Sequence, residues 1–178
     1  MSGCMSSMFQ REVMNLCSPL QQLKDEHGPL NVMKKELYDI SSNIEKTKEA
    51  ECLEVIKKLR EKVESFVAVL EPHSQREEGV LFEMMEKYIG RTSGPIAVME
   101  YEHDQAKSNI GKFLMETEHL SDNLLKDDAK RLASYVSEAY LILTDHFMKE
   151  ENVLFPMAEK MLSDEEKHEL EVRINEIK

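Results

Sequence analysis

The sequence is poor in the residues that interrupt helices. It contains only six glycines, five prolines and no tryptophan, whereas 33% of its residues are charged. Glycine and proline are the residues least compatible with a helix interior, and departures of this kind from average usage are informative about fold class. The composition therefore favours a helical protein over one built around a sheet.

Cysteine is also scarce. Cys4, Cys17 and Cys52 form an odd, scattered set without a C-x-x-C pair, a pattern that fits a reducing compartment better than a disulfide framework. No apolar stretch reaches the roughly 18 residues that a membrane span needs. The N-terminus lacks the basic-then-apolar layout of a signal peptide. We therefore expect a cytoplasmic protein.

Positive charge is in the minority. The chain has 23 Lys and Arg against 35 Asp and Glu, which gives a formal net charge of −12. Nucleic acids and anionic membrane surfaces repel a uniformly acidic protein. We therefore expect neither nucleic acid nor membrane as a partner, and we attribute the charge to solubility.

Apolar residues recur at helical spacing in four long segments, separated near residue 47, at "GRTSGP" (90–95) and near residue 122. Short connections between long helices predict an up-down-up-down four-helix bundle, here over residues 18–162. The chain length suits such a single domain. The stripe predicted to be buried in the fourth helix contains Leu132, Val136, Ala139, Leu143, Val153 and Met157.

The ends of the bundle carry local signals. Ser18 is the predicted N-cap of the first helix, with Pro19 at its first position and Gln21 completing a capping box. Pro29 predicts a bend just beyond His27. Ser163 and Glu166 predict the capped start of a short fifth helix over residues 163–178, which packs on the bundle. Residues 1–17 form a leader to which the pattern assigns no role.

One motif occurs twice. The segment "HSQREEGVLFEMMEK" (73–87) and the segment "HFMKEENVLFPMAEK" (146–160) are identical at nine of fifteen positions. In each copy a glutamate follows the histidine by four residues, about 40° around a helix. Both side chains of each pair therefore address the same place inside the predicted bundle.

Six ligand-type residues lie within the apolar stripes and at similar depth in the bundle: His27, His73, Glu77, His103, His146 and Glu150. A carboxylate in an apolar interior costs several kcal/mol unless it is paired, and the only cation that we place in the stripes is Lys107. Metal ions resolve this problem. Four imidazoles with two carboxylates suit two ions of iron, manganese or zinc, whereas calcium and magnesium prefer oxygen ligands alone.

The hairpins divide the ligands between the metals. His27 and His73 are assigned to one ion, His103 and His146 to the other, with the two glutamates as bridges. Each ion then keeps an open position, which indicates chemistry with an exogenous ligand rather than a purely structural site.

With these residues in view, the chain resembles the hemerythrin-like (HHE cation-binding) domain family. The resemblance is carried by "EH" at 26–27, "HSQREEGVLF" at 73–82, "EH" at 102–103 and "HFMKEENVLFP" at 146–156. It implies a four-helix bundle with a non-haem di-iron centre, in which an oxo or hydroxo bridge joins the two ions. Manganese or zinc are the substitutes to consider.

Two positions depart from the oxygen carriers of that family. Lys107 stands where they place a further histidine ligand, and Glu150 stands four residues after the last histidine where they place an aspartate at five. Four histidines with two glutamates are more similar to the bacterial iron-cluster-repair and iron-sensing members. The cysteine-bearing N-terminal domain typical of the repair proteins has no counterpart in the sequence, so that role does not transfer on resemblance alone.

Several neighbours of these residues are left with two interpretations. Glu78 and Glu151 lie about 140° from their histidines on a regular helix and are expected to miss the metal, with Glu151 as the substitute if Glu150 is not a ligand. Lys107 either donates a proton or hydrogen bond to bound oxygen or extends to the surface with its stem on the core. Glu26 and Glu102 are expected to be exposed, although the resemblance points to a proton or metal path near Glu102. The remaining histidines, His119 and His168, are expected to be solvated.

The sequence predicts a di-iron protein that binds or reduces O2, NO or peroxide in sensing, detoxification or iron-cluster repair. An iron store, iron donor or iron-dependent regulatory module without turnover is the alternative, and a purely structural bundle is disfavoured because its six inward polar residues would have to satisfy one another. The expected partners are the small ligand and an electron donor, in a monomer or homodimer.

Overall fold

A computed structural model describes residues 15–178, so Cys4 and most of the predicted leader lie outside the described residues. Within that range the chain forms helices and no strand, and the predicted all-α class is confirmed. The helices are α1 (Ser18–Ser42), α2 (Glu49–Arg76), α3 (Phe82–Ile89), α4 (Pro95–Glu116), α5 (Lys126–Lys149), α6 (Phe155–Met161) and α7 (Asp164–Glu176).

The bundle consists of four rods, and two of them are each built from two helices joined end to end. α2 continues into α3 through a π-helical turn, Glu77–Leu81, and α5 continues into α6 through a second one, Glu150–Leu154. Both turns begin at the glutamate of the duplicated motif. Single wide turns of this kind are frequent at functional sites in helices.

The four rods alternate in direction, and α5 packs most extensively against α4 and α1. The first connection is a 3-10 turn, Asn43–Lys46. The second is the loop between α3 and α4, where Gly90 (φ 72°) and Gly94 (φ 79°) have backbone angles that other residues rarely adopt.

The apolar core is divided into two clusters, and the predicted ligands lie between them. The lower core includes Leu30, Leu70, Ala106 and Leu143, one residue from each long rod. The upper core includes Leu23, Val80, Met99 and Leu154. On every rod the predicted histidine falls between a lower-core and an upper-core residue, so the polar layer crosses the whole bundle.

The second π turn changes the predicted stripe of the fourth rod. Val153 is 43% exposed and Met157 is only partly buried, whereas Leu154 and Ala158 are fully buried in their place. The wide turn contains one more residue than an α turn, so the buried face after it is shifted by one position. The prediction for these two residues assumed a regular helix and is wrong.

The start of α1 also differs from the prediction. Cys17, not Ser18, is the N-cap, and the predicted capping box is not formed. The carboxylate of Glu159 instead accepts the backbone N–H of Cys17 at 2.6 Å. Burial raises the pKa of the Cys17 thiol to about 11, so this cysteine is not a thiolate at neutral pH. Downstream, α1 is continuous across Pro29.

The short fifth helix of the prediction is α7, and its capping box between Ser163 and Glu166 is present. Leu170 and Ile174 are fully buried in the upper core, so α7 packs on the bundle. The Arg173 guanidinium extends back to Glu83 of α3 at 2.9 Å. None of the described helices has both the length and the apolar character required to cross a membrane.

Candidate metal centre

The structure brings the six predicted ligands into one layer. All six are buried, with at most 3% of each residue exposed. Their potential ligand atoms form two groups, and within each group all atoms lie within 4.8 Å of one another. One group is His27, His73, Glu77 and Glu150, and the other is Glu77, His103, His146 and Glu150.

Each glutamate extends one oxygen to each group. Glu150 Oε2 lies 3.2 Å from His27 Nε2, and its Oε1 lies 2.9 Å from His146 Nε2. Glu77 Oε1 lies 3.4 Å from His73 Nε2, and its Oε2 lies 3.6 Å from His103 Nε2. A carboxylate that presents its two oxygens to two neighbouring groups is placed as a bridge.

The outer nitrogens of the four histidines are all occupied by carboxylates. His27 Nδ1 pairs with Glu151 at 2.8 Å, His73 with Glu26 at 2.8 Å, His103 with Glu78 at 2.6 Å and His146 with Glu102 at 3.1 Å. An ionised carboxylate can only accept a hydrogen bond, so each Nδ1 donates its proton. Each Nε2 then presents a lone pair to the centre, which is the state in which imidazole binds metal.

The inner atoms lack hydrogen-bond partners of their own. Both oxygens of Glu77 and of Glu150, and the Nε2 atoms of His27, His73 and His146, are buried without a hydrogen bond. Their approaches to one another lack hydrogen-bond geometry. Buried polar atoms are almost always satisfied, so seven orphans in one layer indicate a missing partner. Imidazole nitrogen with carboxylate oxygen is a donor set that fits iron, manganese or zinc.

The two buried glutamates, Glu77 and Glu150, have pKa values shifted in opposite directions. Burial, and then the negative charge of Glu150, raise the pKa of Glu77 well above its ordinary value. Burial also acts against the ionised form of Glu150, but its contacts with His146 and His27 outweigh that effect and lower the Glu150 pKa. Without a cation, these surroundings therefore favour the protonated form of Glu77 and the ionised form of Glu150. Two cations in the layer would stabilise both as carboxylates.

The four outer carboxylates form a ring around the bundle. The glutamate of each rod supports the histidine of the next: Glu26 of α1 supports His73, Glu78 supports His103, Glu102 of α4 supports His146, and Glu151 supports His27 of α1. Hydrogen bonding from His103 lowers the pKa of Glu78 to about 2. The imidazole of each of these histidines is therefore oriented by a carboxylate from a neighbouring rod.

The wide π turns position the consecutive glutamates. In the first copy, Glu77 approaches His103 Nε2 while Glu78 holds Nδ1 of the same ring. In the second copy, Glu150 approaches His27 Nε2 while Glu151 binds Nδ1 of the same ring. Because both turns begin at the first glutamate, the regular-helix angle of about 140° does not describe the second one.

Three of the outer carboxylates also have a cation. Glu26 pairs with Arg76 at 3.2 Å, Glu78 with Lys107 at 2.8 Å, and Glu102 with Lys149. Glu151 has no Lys or Arg within ion-pair distance in the described part of the chain. Lys34, two helical turns after His27 in α1, attracts Glu151 electrostatically but forms no ion pair with it.

Aromatic rings close the layer from above and below. Phe147 stacks on His27 with 4.1 Å between ring centroids and 7° between the ring planes. Phe82 and Phe155, the phenylalanines of the two motif copies, stack on His103 and His27 at 5.8 Å. These rings are buried and exclude water from the histidines.

The supporting residues are where the sequence interpretation was incomplete. Glu26 and Glu102 were expected to be exposed, but their side chains are only 23% and 14% exposed and bind histidines. Lys107 binds Glu78 at the surface rather than facing the inner atoms. Lys34, not Lys107, is the buried lysine of the stripes, at 4% exposure. The expected solvation of His119 and His168 is confirmed. The signal for the missed glutamates was their repetition, since "EH" and "EE" each occur twice in equivalent places.

The bundle contains two facing groups of buried His and Glu, and a carboxylate orients each imidazole through its Nδ1. This is the arrangement of a metal-binding helical domain. The same conclusion comes from comparison with known families. Residues 18–158 match the model of the hemerythrin HHE cation-binding domain, and the chain belongs to that family. The resemblance inferred from the motifs is thereby confirmed.

Curated relatives add a narrower likeness. The chain is 39% identical over 95 residues to the iron-sulfur cluster repair protein YtfE of Musicola paradisiaca. It is 36% identical over 95 residues to the protein of that name in Escherichia coli, and 35% in Salmonella schwarzengrund. These matches cover 50% of this chain and 41% of each relative. The chain therefore spans less than half the length of the relatives that it matches.

Proposed function

We propose that this chain is a non-haem di-iron protein that binds or reduces a small ligand such as NO, O2 or peroxide, and that it serves the repair of iron–sulfur clusters. The observation that carries the proposal is the set of seven buried, unpartnered nitrogen and oxygen atoms in one layer. The repair role is supported by the name of the relatives.

In this proposal His27 and His73 hold one iron, His103 and His146 hold the other, and Glu77 and Glu150 hold both. Four protein donors per ion leave free positions on a metal that accepts about six. When bound, the two irons supply reversible electron transfer and a place for the small ligand. The chain itself orients the imidazoles through the ring of outer carboxylates and excludes bulk water with Phe82, Phe147 and Phe155.

The outer carboxylates also lie between the layer and solvent. Glu78 and Glu151 are each 31% exposed, and each accepts the Nδ1–H of a buried histidine. Lys107 donates to Glu78 and, in this proposal, supports that carboxylate instead of donating to the bound ligand.

The test is metal content together with the absorption spectrum of the purified protein, before and after dithionite and then air. About two irons per chain, with charge-transfer bands that bleach and return, are the expected result. Zinc alone, or no metal after anaerobic reconstitution with ferrous iron, would overturn the di-iron proposal. Exposure of the reduced protein to an NO donor then tests the ligand, since spectral change is expected in the wild type and not in Glu77→Ala.

Iron donation without turnover is the second candidate. It is favoured by three outer carboxylates, Glu26, Glu78 and Glu151. Each binds a predicted histidine ligand, and their side chains are 23–31% exposed. The discriminating measurement is transfer of iron from loaded protein to an apo iron–sulfur protein. Transfer faster than release to a chelator supports donation, whereas transfer limited by that release supports a retained centre.

A further inference from the structure

Arg76 joins the C-terminal helix to the layer of histidines. Its Nη1 donates to both carboxylate oxygens of Glu26 at 3.2 Å. Its other two nitrogens serve the end of α7, since Nε donates to the carbonyl of Ile174 at 3.2 Å and Nη2 to the carbonyl of Ile177 at 2.9 Å. One guanidinium therefore has all three nitrogens engaged, one on a carboxylate and two on α7.

The same arginine is one step from a predicted ligand. Glu26 accepts the Nδ1–H of His73 at 2.8 Å. The chain of contacts thus runs from the last carbonyls of α7 through Arg76 and Glu26 to His73. The final carbonyls of a helix have no partner within it, so Arg76 supplies the end of α7 with donors while it fixes the carboxylate behind His73.

The other supported histidines have no such link. Lys107 binds Glu78, and Lys149 binds Glu102 and Asp145. In the described chain neither lysine hydrogen-bonds to the backbone of another element. Among the described residues, Arg76 is therefore the one cation that binds both a supporting carboxylate and α7.

We propose that Arg76 is a positioning residue that couples the docking of α7 to metal binding at the position of His27 and His73. This inference rests on the proposed function, because it concerns how that centre is held. An undocked α7 leaves Arg76 without its two carbonyls, so that Glu26 and the His73 ring lose a fixed support. Coupling between two sites is reciprocal, so metal at this position stabilises the docked state of α7.

The experiment uses full-length chain loaded with zinc, which is redox-silent, and in parallel with ferrous iron under anaerobic conditions. Release to a chelator and hydrogen exchange of the α7 amides are measured for each variant. For Arg76→Gln we expect one of the two ions to leave about tenfold faster, because loss of an outer-shell partner typically costs 10–100-fold. We also expect the protection that metal gives to α7 to disappear.

Three variants separate positioning from general loosening. Arg173→Gln removes other contacts of α7, to Glu83 and to the Gly79 carbonyl, neither of which is a supporting carboxylate, and it should raise exchange in α7 while keeping its metal dependence. Lys149→Gln should speed release of the other ion and leave α7 unchanged. Arg76→Lys retains a cation for Glu26 but not the fork that reaches two carbonyls, so it should keep slow release and lose the metal-dependent protection.

Each result decides the matter. Wild-type release and wild-type metal-dependent protection in Arg76→Gln would overturn the coupling, and so would equal acceleration of both ions. If Arg76→Gln does not fold, Arg76→Lys with the metal dependence of α7 exchange intact would overturn it. A wild-type chain that binds neither zinc nor iron would overturn the proposed function itself, an outcome distinct from the others.

Discussion

The two ring nitrogens of His27 face consecutive residues of one other rod. Glu151 accepts from Nδ1 at 2.8 Å, and Glu150 Oε2 stands 3.2 Å from Nε2. The hydrogen bond at Nδ1 orients the ring and sets its tautomer, and pre-positioned ligands lose less freedom on binding metal. Because Glu78 orients His103 in the same way, we expect metal affinity to depend on the outer glutamates as well as on the ligands.

Glu151→Gln tests this dependence. The amide keeps the shape of the carboxylate but is a weaker acceptor for the Nδ1–H of His27, so metal affinity should fall about tenfold or more. Competition with a chelator measures the affinity. Glu61→Gln, at an exposed position on α2, is the matched control and should bind as the wild type does. Equal affinities for the two variants would contradict the role assigned to Glu151.

Loss of a single histidine should remove one metal position and leave the other. His103→Ala leaves His27, His73, Glu77 and Glu150 in place, so the reconstituted protein should hold about one ion per chain instead of two. Elemental analysis after gel filtration measures the ratio. His119→Ala, which changes an exposed histidine, should retain both ions. Two ions in His103→Ala would mean that this residue is not a ligand.

Lys34 should destabilise the bundle at neutral pH. Burial lowers its pKa to about 8 from its ordinary value of 10.5. Its ammonium group lies over the Phe147 ring at 4.5 Å, which offsets only part of the cost. Between pH 8 and 10.5 the unfolded chain binds more protons than the folded one, so stability should rise with pH there.

Lys34→Met therefore should stabilise the chain by about 1–2 kcal/mol at pH 7, with a gap that narrows as pH rises above 8. Denaturant unfolding at several pH values measures it. Lys35→Met changes an exposed lysine on the same helix and should stay within about 0.5 kcal/mol of the wild type. A constant gap across this range would show that the Lys34 ammonium is not desolvated.

Glu77 should lower the stability of the metal-free chain at high pH and be required for stabilisation by metal. Its pKa is raised in the metal-free chain, so the folded state holds a proton that the unfolded state loses above pH 4.5. The contribution of Glu77 to metal-free stability therefore falls as pH rises. Glu77→Gln should be more stable than the wild type without metal at pH 8, and it should lose the rise in melting temperature that metal gives the wild type. A wild type that remains the more stable metal-free protein at pH 8 would refute this expectation.

The periodicity of the sequence was sufficient to predict the fold because each rod buries a regular stripe. It predicted the convergence of the six inward residues for the same reason, although their role as ligands stays a prediction. It failed at Val153, because a wide π turn leaves no signature in apolar spacing. It also failed at Glu26 and Glu102, because the histidines that bury them lie on neighbouring rods. The start at Cys17 was missed because its partner, Glu159, is distant in sequence and only tertiary structure brings them together.

The ring of glutamates and histidines also relates the two halves of the chain to each other. Within each half of the chain, the first glutamate supports the second histidine, as Glu26 does for His73. Between halves, the glutamate pair of each supports the first histidine of the other, as Glu78 does for His103 and Glu151 for His27. These are the contacts that two copies of one helical hairpin would make across a two-fold axis. A single hairpin lacks the carboxylate that supports its own first histidine, so neither half of the chain contains the complete set of supports.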